Sequence, residues 1–418
     1  MDFNLTSEQE RLIGLAAELG REKFAKRAAR YDRDAEFPME NYNDLRDAGL
    51  LKLCVPKEHG GLGADYQTYM LVAAEIARHC AATALTFNMH SCAMMWNAQM
   101  IHDFPISDQQ RAEHETLKLR HFARVVDEGK IYSQPFSETG DNWMAKPFGT
   151  RAVRGKDGWY ITGKKVFASL SGAADYYGIV CTEVADDGEL YFDNTLYVAM
   201  SKDSPGFSIT GSWDPLGMRG TVSRTLVLDN VFVPYEEAIM PKGAYYHGQI
   251  VWPHMYMTLT PAYLGTAQAA YDFTRAYLRG EIEGMPPVKR RAFPSKQAAM
   301  AEMYIKLQQA WAVFNRSISD AKGNPGPEDI MRLYVCQYTV MEYSNDICRL
   351  AIRTCGGQSM LRSLPLERYY RDSRCGSLML PYTAEICTTF LGISCLYDEG
   401  EELEAPPPLP PKAVASKQ

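Results

Sequence analysis

The sequence predicts an α+β chain in three consecutive regions: helical over 1–128, β-structured over 129–238 and helical again over 239–396, with a tail over 397–418. A change of period carries this expectation. Apolar residues recur at helical spacing in the first and third regions, while the middle region has short β-branched and aromatic runs separated by glycine, proline and aspartate. Length agrees, because 418 residues of 46% hydrophobic content can bury a large core shared by two or three domains.

Thr6-Ser7-Glu8-Gln9 has the form of a capping box, a hydroxyl followed three residues on by glutamine. Leu12, Ile13, Leu15, Ala16, Leu19 and Phe24 follow at helical spacing, with charged residues between them. A second helix fits 40–51, entered through Phe37-Pro38. Gly60-Gly61-Leu62-Gly63 reads as a chain-turning loop, since it lacks the preceding strand and the spacing of a dinucleotide fingerprint. A buried helix over 66–78 comes next, and Met-rich, small-residue sequence continues through His90, Met94 and Met95.

In the middle region Asp157-Gly158 makes a hairpin-type turn into Trp159-Tyr160-Ile161-Thr162. Runs at 176–180, 194–200, 207–209 and 225–233 complete a compact β-barrel or sandwich of about 100 residues. In the third region 258–278, 295–319, 327–355 and 382–396 each read as one helix. The acidic residues of 399–404 and the proline-rich 405–412 cannot continue a helix and predict an extended end.

Composition excludes several classes. Lys and Arg number 44 against 51 Asp and Glu, and a net charge of −7 does not suit a nucleic acid or an anionic membrane surface. No apolar run is long enough to span a bilayer. Met1 is followed by Asp2 and a polar segment rather than a signal peptide, so the expected compartment is the cytoplasm. The 10 cysteines stand singly in apolar contexts without a C-x-x-C pair, which predicts buried thiols. The 8 histidines show no zinc spacing, and no metal is expected.

Several fragments occur in a telling order. Near the start are Phe3-Asn4-Leu5-Thr6-Ser7-Glu8-Gln9, Asp47-Ala48-Gly49-Leu50 and Val55-Pro56-Lys57-Glu58-His59-Gly60-Gly61-Leu62-Gly63. Gly163-Lys164-Lys165-Val166-Phe167-Ala168-Ser169 precedes Ala174-Asp175, and Leu216-Gly217-Met218-Arg219-Gly220-Thr221 leads to Asp229-Asn230-Val231-Phe232-Val233-Pro234. Cys355-Gly356-Gly357-Gln358 is followed by Pro365-Leu366-Glu367-Arg368 and Arg371-Asp372. Together, over about 3–396, they resemble the acyl-CoA dehydrogenase family. The resemblance implies an N-terminal helical domain, a middle β-barrel and a C-terminal four-helix bundle that binds FAD. It also implies a homotetramer or homodimer in which a neighbouring subunit completes each flavin site.

The resemblance further implies roles for residues. Tyr132, Ser133, Phe167 and Ser169 would provide the aromatic wall and the hydroxyls that an isoalloxazine needs. Gly356 and Gly357 would let backbone approach the diphosphate, with Arg353 three residues earlier where the family usually has an amide. A second diphosphate arginine falls at Arg290 or Arg291, and Thr383 and Glu385 would border the flavin. Tyr256, where the family often has an arginine near CoA, and Leu380 would face the substrate.

Two departures bear on activity. Oxidation of an acyl-CoA at its α,β carbons needs a base for the α proton, and a carboxylate of raised pKa suits that task. In most of the family the base lies eight residues after the aspartate of the Arg-Asp pair, which is Leu380 here. The minority position, ten residues before a helix glycine (Gly265), is Met255. Tyr382, Thr383 and Glu385 remain nearby, and His254 and His90 are alternative bases because imidazole titrates near neutrality. The second departure is the loop Ser133-Gln134-Pro135-Phe136-Ser137-Glu138-Thr139-Gly140-Asp141, one residue longer than the family's Thr-Glu-Pro passage. The expectation is an FAD-dependent oxidoreductase performing α,β-oxidation of an acyl-CoA-like thioester, its catalytic base unassigned. A flavin-dependent monooxygenase or oxidase on the same fold is the alternative, as is a non-catalytic subunit paired with a homologous one.

Overall fold

The computed structural model describes residues 5–140, 145–398 and 400–404. The opening Phe3-Asn4, Asp141 of the long loop, Glu399 and the proline-rich stretch 405–412 lie outside the described residues.

The capping box forms as its residues dictate. Thr6 Oγ1 accepts from the Gln9 backbone N–H at 3.2 Å, and Gln9 Oε1 accepts from the Thr6 N–H at 3.0 Å. It opens α1 (Ser7–Leu19), which passes through one π-helical stretch (Gly20–Phe24) into α2 (Ala25–Asp34). Then come α3 (Met39–Asp47), α4 (Tyr66–His79), α5 (Ala81–Ala98) and α6 (Asp108–Val126). The helix expected over 40–51 stops at Asp47, because Gly49 turns left-handed with φ 77° and a separate 3-10 turn begins at Leu50. Every residue of α5 is buried, so it forms the middle of the helical layer.

The middle region forms one eight-stranded sheet: β1 (Tyr132–Ser133), β2 (Arg151–Arg154), β3 (Gly158–Ala168), β4 (Tyr176–Glu183), β5 (Thr195–Ser201), β6 (Phe207–Thr210), β7 (Arg224–Pro234) and β8 (Ala238–Met240). Its order is β6-β7-β3-β2-β4-β5-β8, with β1 added parallel to β4. The Asp157-Gly158 turn closes the β2–β3 hairpin in the register Arg154↔Trp159 and Val153↔Tyr160. The long β3–β7 pairing shifts register between Lys165 and Ala168. That irregularity delivers Phe167 in the left-handed region at φ 52°, a costly conformation for a bulky side chain.

The last region contains α7 (Ala244–Val251), a 3-10 segment (Pro253–Leu259), α8 (Thr260–Arg279), α9 (Pro294–Asp320), α10 (Pro327–Cys355), α11 (Leu366–Arg374) and α12 (Ala384–Leu396). The four long helices coincide with the expected ones. The first and the last of them start two residues late, the first after a 3-10 segment and the last because Thr383 serves as its cap. The sequence reading names no helix at α7 or α11, each of which is too short for a sustained apolar period. Helix α8 packs on α4 at Gly265, where an added Cβ would lie 2.2 Å from the Ala74 carbonyl oxygen. No described helix is long and apolar enough to cross a membrane. All the cysteines are free, and only Cys375 and Cys395 are not fully buried.

Candidate functional site

A cleft of about 390 Å³ opens where the helical layers meet the sheet. Its first wall is α5, which presents Leu85, Met89, Cys92 and Trp96, one face of a helix by their spacing. The second is the end of β3 with the segment before β7. There Phe167, 72% exposed, stands edge-on to Trp213 with ring centroids 6.4 Å apart. Beneath them runs a row of hydroxyls. Ser169 Oγ and Thr221 Oγ1 each lie 2.8 Å from Ser223 Oγ, and Thr221 Oγ1 donates to the Met218 carbonyl at 2.8 Å. The third wall is Leu378, Met379, Leu380 and Pro381 after α11, with Leu380 45% exposed.

The loop after β1 closes one side and carries the one carboxylate among the described lining residues, Glu138. It accepts from Lys165 Nζ at 2.6 Å, from the Gly149 N–H at 2.6 Å and from the Thr150 N–H at 3.1 Å. Burial pushes this carboxyl up, but Lys165 and the hydrogen bonds outweigh it and hold Glu138 below the usual carboxylate range. Burial likewise lowers the Lys165 ammonium, whose Nζ also sits 4.7 Å from the centre of the Phe148 ring. A charge-paired carboxylate of depressed pKa is a poor proton acceptor. Tyr256 and Cys375 also line the cleft, and burial raises both, Cys375 to about 11.

The predicted residues gather in two places. Phe167, Ser169, Tyr256 and Leu380 line the cleft. Ser133 stands directly behind, donating to the Ser169 carbonyl at 2.6 Å. Tyr132 does not reach the cleft: it is buried, its ring stacked on Tyr176 at 5.3 Å and its hydroxyl 3.0 Å from His121 Nδ1. The second gathering is at the end of α10. Arg353 and Gly357 are exposed and Gly356 half-buried there, beside Gln358, which accepts from the Tyr277 hydroxyl at 3.1 Å. The Arg290 guanidinium stacks over that same Tyr277 ring at 4.6 Å, which brings the Arg290-Arg291 segment alongside. None of these lines the cleft. Thr383 is committed as the α12 cap, accepting from the Ile386 N–H at 3.2 Å, and Glu385 is exposed on that helix.

Both histidine alternatives are structural. His90 binds the Leu51 carbonyl through Nε2 at 2.8 Å and accepts the Tyr132 N–H at Nδ1 at 3.0 Å. His254 is buried outside the lining, and its backbone carbonyl accepts from the Tyr66 hydroxyl. Burial lowers each imidazole to about 4, so both are neutral at pH 7. Sequence reasoning missed Trp96, Trp213 and Ser223. The α5 stripe Leu85, Met89, Cys92, Trp96 was readable as a face, but in a helix buried on all sides nothing marks which face borders a cleft.

A flat aromatic wall above a row of hydroxyls, in a predominantly apolar cleft, is a donor set that fits an isoalloxazine ring. Fold and cleft together define the class of flavin-dependent oxidoreductases. Three family models match in order: the acyl-CoA dehydrogenase N-terminal domain over 6–113, the middle domain over 136–231 and the C-terminal domain over 257–378. The chain belongs to the acyl-CoA dehydrogenase family. YdbM of Bacillus subtilis (strain 168), which bears an acyl-CoA dehydrogenase name, is 29% identical over 372 residues, 85% of this chain and 89% of its own length. Butyryl-CoA dehydrogenase from Megasphaera elsdenii shares the fold with a TM-score of 0.79 at 21% identity, covering 95% of this chain and 100% of its own. KijD3, solved with FMN and dTDP-3-amino-2,3,6-trideoxy-4-keto-3-methyl-D-glucose, gives a TM-score of 0.76 at 25% identity over 94% of both chains.

Proposed function

We propose that this chain is a flavin-dependent monooxygenase or oxidase on the acyl-CoA dehydrogenase fold, in which reduced flavin meets oxygen. One observation carries the reading: among the described residues, the cleft wall offers no side chain fit to take an α proton. Leu380 and Met255 are inert, Glu138 is neutralised by Lys165, and His90 and His254 lie elsewhere. Oxidation at the α,β carbons of a thioester requires such a base, whereas oxygen chemistry does not.

Bound flavin, FAD in this reading, would supply the electron transfer. The chain's own residues do the rest. Phe167 and Trp213 cover the ring, Ser169, Thr221 and Ser223 offer hydroxyls to its polar edge, and Leu85, Met89 and Leu380 keep water out. Ser133 holds the Ser169 backbone in place. Tyr256 and Leu380 face the substrate. Arg353, Gly356, Gly357 and Arg291 hold the diphosphate of a neighbouring copy's dinucleotide, which makes the working form a homodimer or homotetramer, and Thr383 and Glu385 border a flavin. Its compartment is the cytoplasm.

A second reading has an observation of its own. The similarity to YdbM runs along 85% of the chain, and it favours acyl-CoA oxidation in lipid metabolism with the base supplied by a partner chain. One experiment separates the two. Under anaerobic conditions the purified yellow protein is mixed with acyl-CoA thioesters, and separately it is supplied with a flavin reductase, oxygen and candidate substrates. Oxygen-dependent product without bleaching is expected. Bleaching by an acyl-CoA would move the assignment to the dehydrogenase.

A further inference from the structure

A second cavity, of about 260 Å³, lies on the other side of the segment that precedes β7. Four guanidinium groups line it, those of Arg33, Arg219, Arg362 and Arg371, against two carboxylates, Asp32 and Asp214. Both carboxylates are already engaged. Asp32 accepts from Arg371 at 2.9 and 2.6 Å, and Asp214 accepts from Arg219 Nη1. Arg371 commits its other N–H groups to Glu367 and the Leu216 carbonyl. The remaining three arginines keep donors unused among the described residues. Arg33 bonds only through Nε, to Asp34, and Arg362 is exposed without a hydrogen bond. Arg219 uses Nε and Nη1 but not Nη2, which is not sealed from solvent. The cavity also shares a wall with the cleft. Asp214 and Leu216 line the cavity, Trp213, Gly217 and Met218 line the cleft, and Pro215 lines both. Arg219 ties this wall together: its Nη1 donates to the Pro215 carbonyl at 3.2 Å, and its own carbonyl accepts the Trp213 indole N–H at 2.9 Å.

We propose that this cavity binds the phosphoryl group of a small phosphorylated molecule, separately from the flavin cleft, and that its occupancy is felt at Trp213. Guanidinium forks match phosphoryl oxygens in geometry as well as charge, and such charge-assisted bonds are the strong ones. Arg362 and Arg33 bring unused forks, while Arg219 is drawn from Asp214, whose side chain is 81% exposed and returns to water at little cost. A shift of Arg219 moves the backbone that holds the Trp213 indole, and so moves a wall of the cleft. The inference is independent of which reaction the cleft performs.

Titration calorimetry of the protein as purified with inorganic pyrophosphate, at constant ionic strength, tests it, with tryptophan emission recorded in parallel. One equivalent is expected to bind per chain. Arg362→Gln removes an exposed, unbonded guanidinium and should weaken binding about tenfold. Arg33→Gln should weaken it independently, and serves if Arg362→Gln does not fold. Arg353→Ala, at the end of α10, should retain the affinity. The emission of the unaltered protein should change on binding, and Trp213→Phe should abolish that change. Absence of binding, or an affinity that survives both Arg362→Gln and Arg33→Gln, overturns the proposal. So does an affinity lost in Arg353→Ala instead, which would put pyrophosphate at the end of α10. Binding that obeys the arginine variants but leaves the emission unchanged overturns the link to Trp213.

Discussion

By the resemblance, Leu380 and Met255 fall at both positions expected for the base, and this departure is legible residue by residue in the sequence. The structure adds that Leu380 lines the cleft and is 45% exposed, which makes it a tolerant site for change. Leu380→Glu is expected to cost less than ~1 kcal/mol in denaturant melts. It should also introduce slow anaerobic bleaching of the bound flavin by a short acyl-CoA, which the unaltered protein lacks. A folded, yellow variant that never bleaches would show that a carboxylate at 380 cannot reach the α carbon. Asp372 carries a second prediction at this scale. It accepts the Met218 N–H at 2.6 Å behind the cleft, and burial, with Asp32 nearby, raises its carboxyl from 3.8 to about 6. A raised folded pKa means that the native state holds the proton after the unfolded chain has lost it. The contribution is therefore full below about pH 4 and is lost as pH rises through about 6. Asp372→Asn keeps an acceptor for Met218 but cannot titrate. The stability of the unaltered protein relative to this variant should fall by ~3 kcal/mol between pH 4 and 7 and stay flat above, as urea midpoints at each pH would show.

At the level of elements, the long C-terminal helices and the strands of the middle region were legible by their period and the Asp157-Gly158 turn fixed one hairpin, while α5, buried all round, and α6 were not delimited. What the period cannot show is where elements touch. Tyr132 sits in a strand beside the cleft and still belongs to the core, because the pairing of β1 with β4 turns its ring onto Tyr176. Phe167 reaches the cleft through a register shift that no propensity announces. The α4–α8 contact is a similar case. The sequence marks Gly265 only by its spacing from Met255, yet an added Cβ would lie 2.5 Å from the Ala77 Cβ and closer still to the Ala74 carbonyl. Gly265→Ala should therefore force the two helices apart and lower stability by about 1–3 kcal/mol, where helix propensity alone predicts a gain. A thermal melt that rises would show that the helix pair can yield at no cost.

For the whole molecule, the question is what covers the C-terminal helices and who completes the flavin site. Helix α12 contains one charged residue, Glu385, and buries only Cys387, while Leu396 is 80% exposed and Ile393 is exposed beside it. An apolar helix left this open calls for a protein surface against it. The Arg353 and Gly356-Gly357 gathering makes the complementary demand, since it offers a guanidinium and open backbone but does not line the cleft of its own chain. In the proposed assembly a second copy would satisfy both, by covering apolar helices and by receiving the diphosphate end of a dinucleotide whose ring lies in the first copy's cleft. FMN has no diphosphate, and this difference decides the matter. Arg353→Ala is expected to weaken FAD about tenfold, the loss of one charge-assisted pair, while leaving FMN affinity unchanged. Leu396→Lys with Ile393→Lys should convert the oligomer to monomer in sedimentation and weaken FAD by more than Arg353→Ala does, again sparing FMN. If FAD and FMN bind the unaltered protein equally and Arg353→Ala affects neither, the α10 end is not a cofactor site and the flavin is held by the cleft alone.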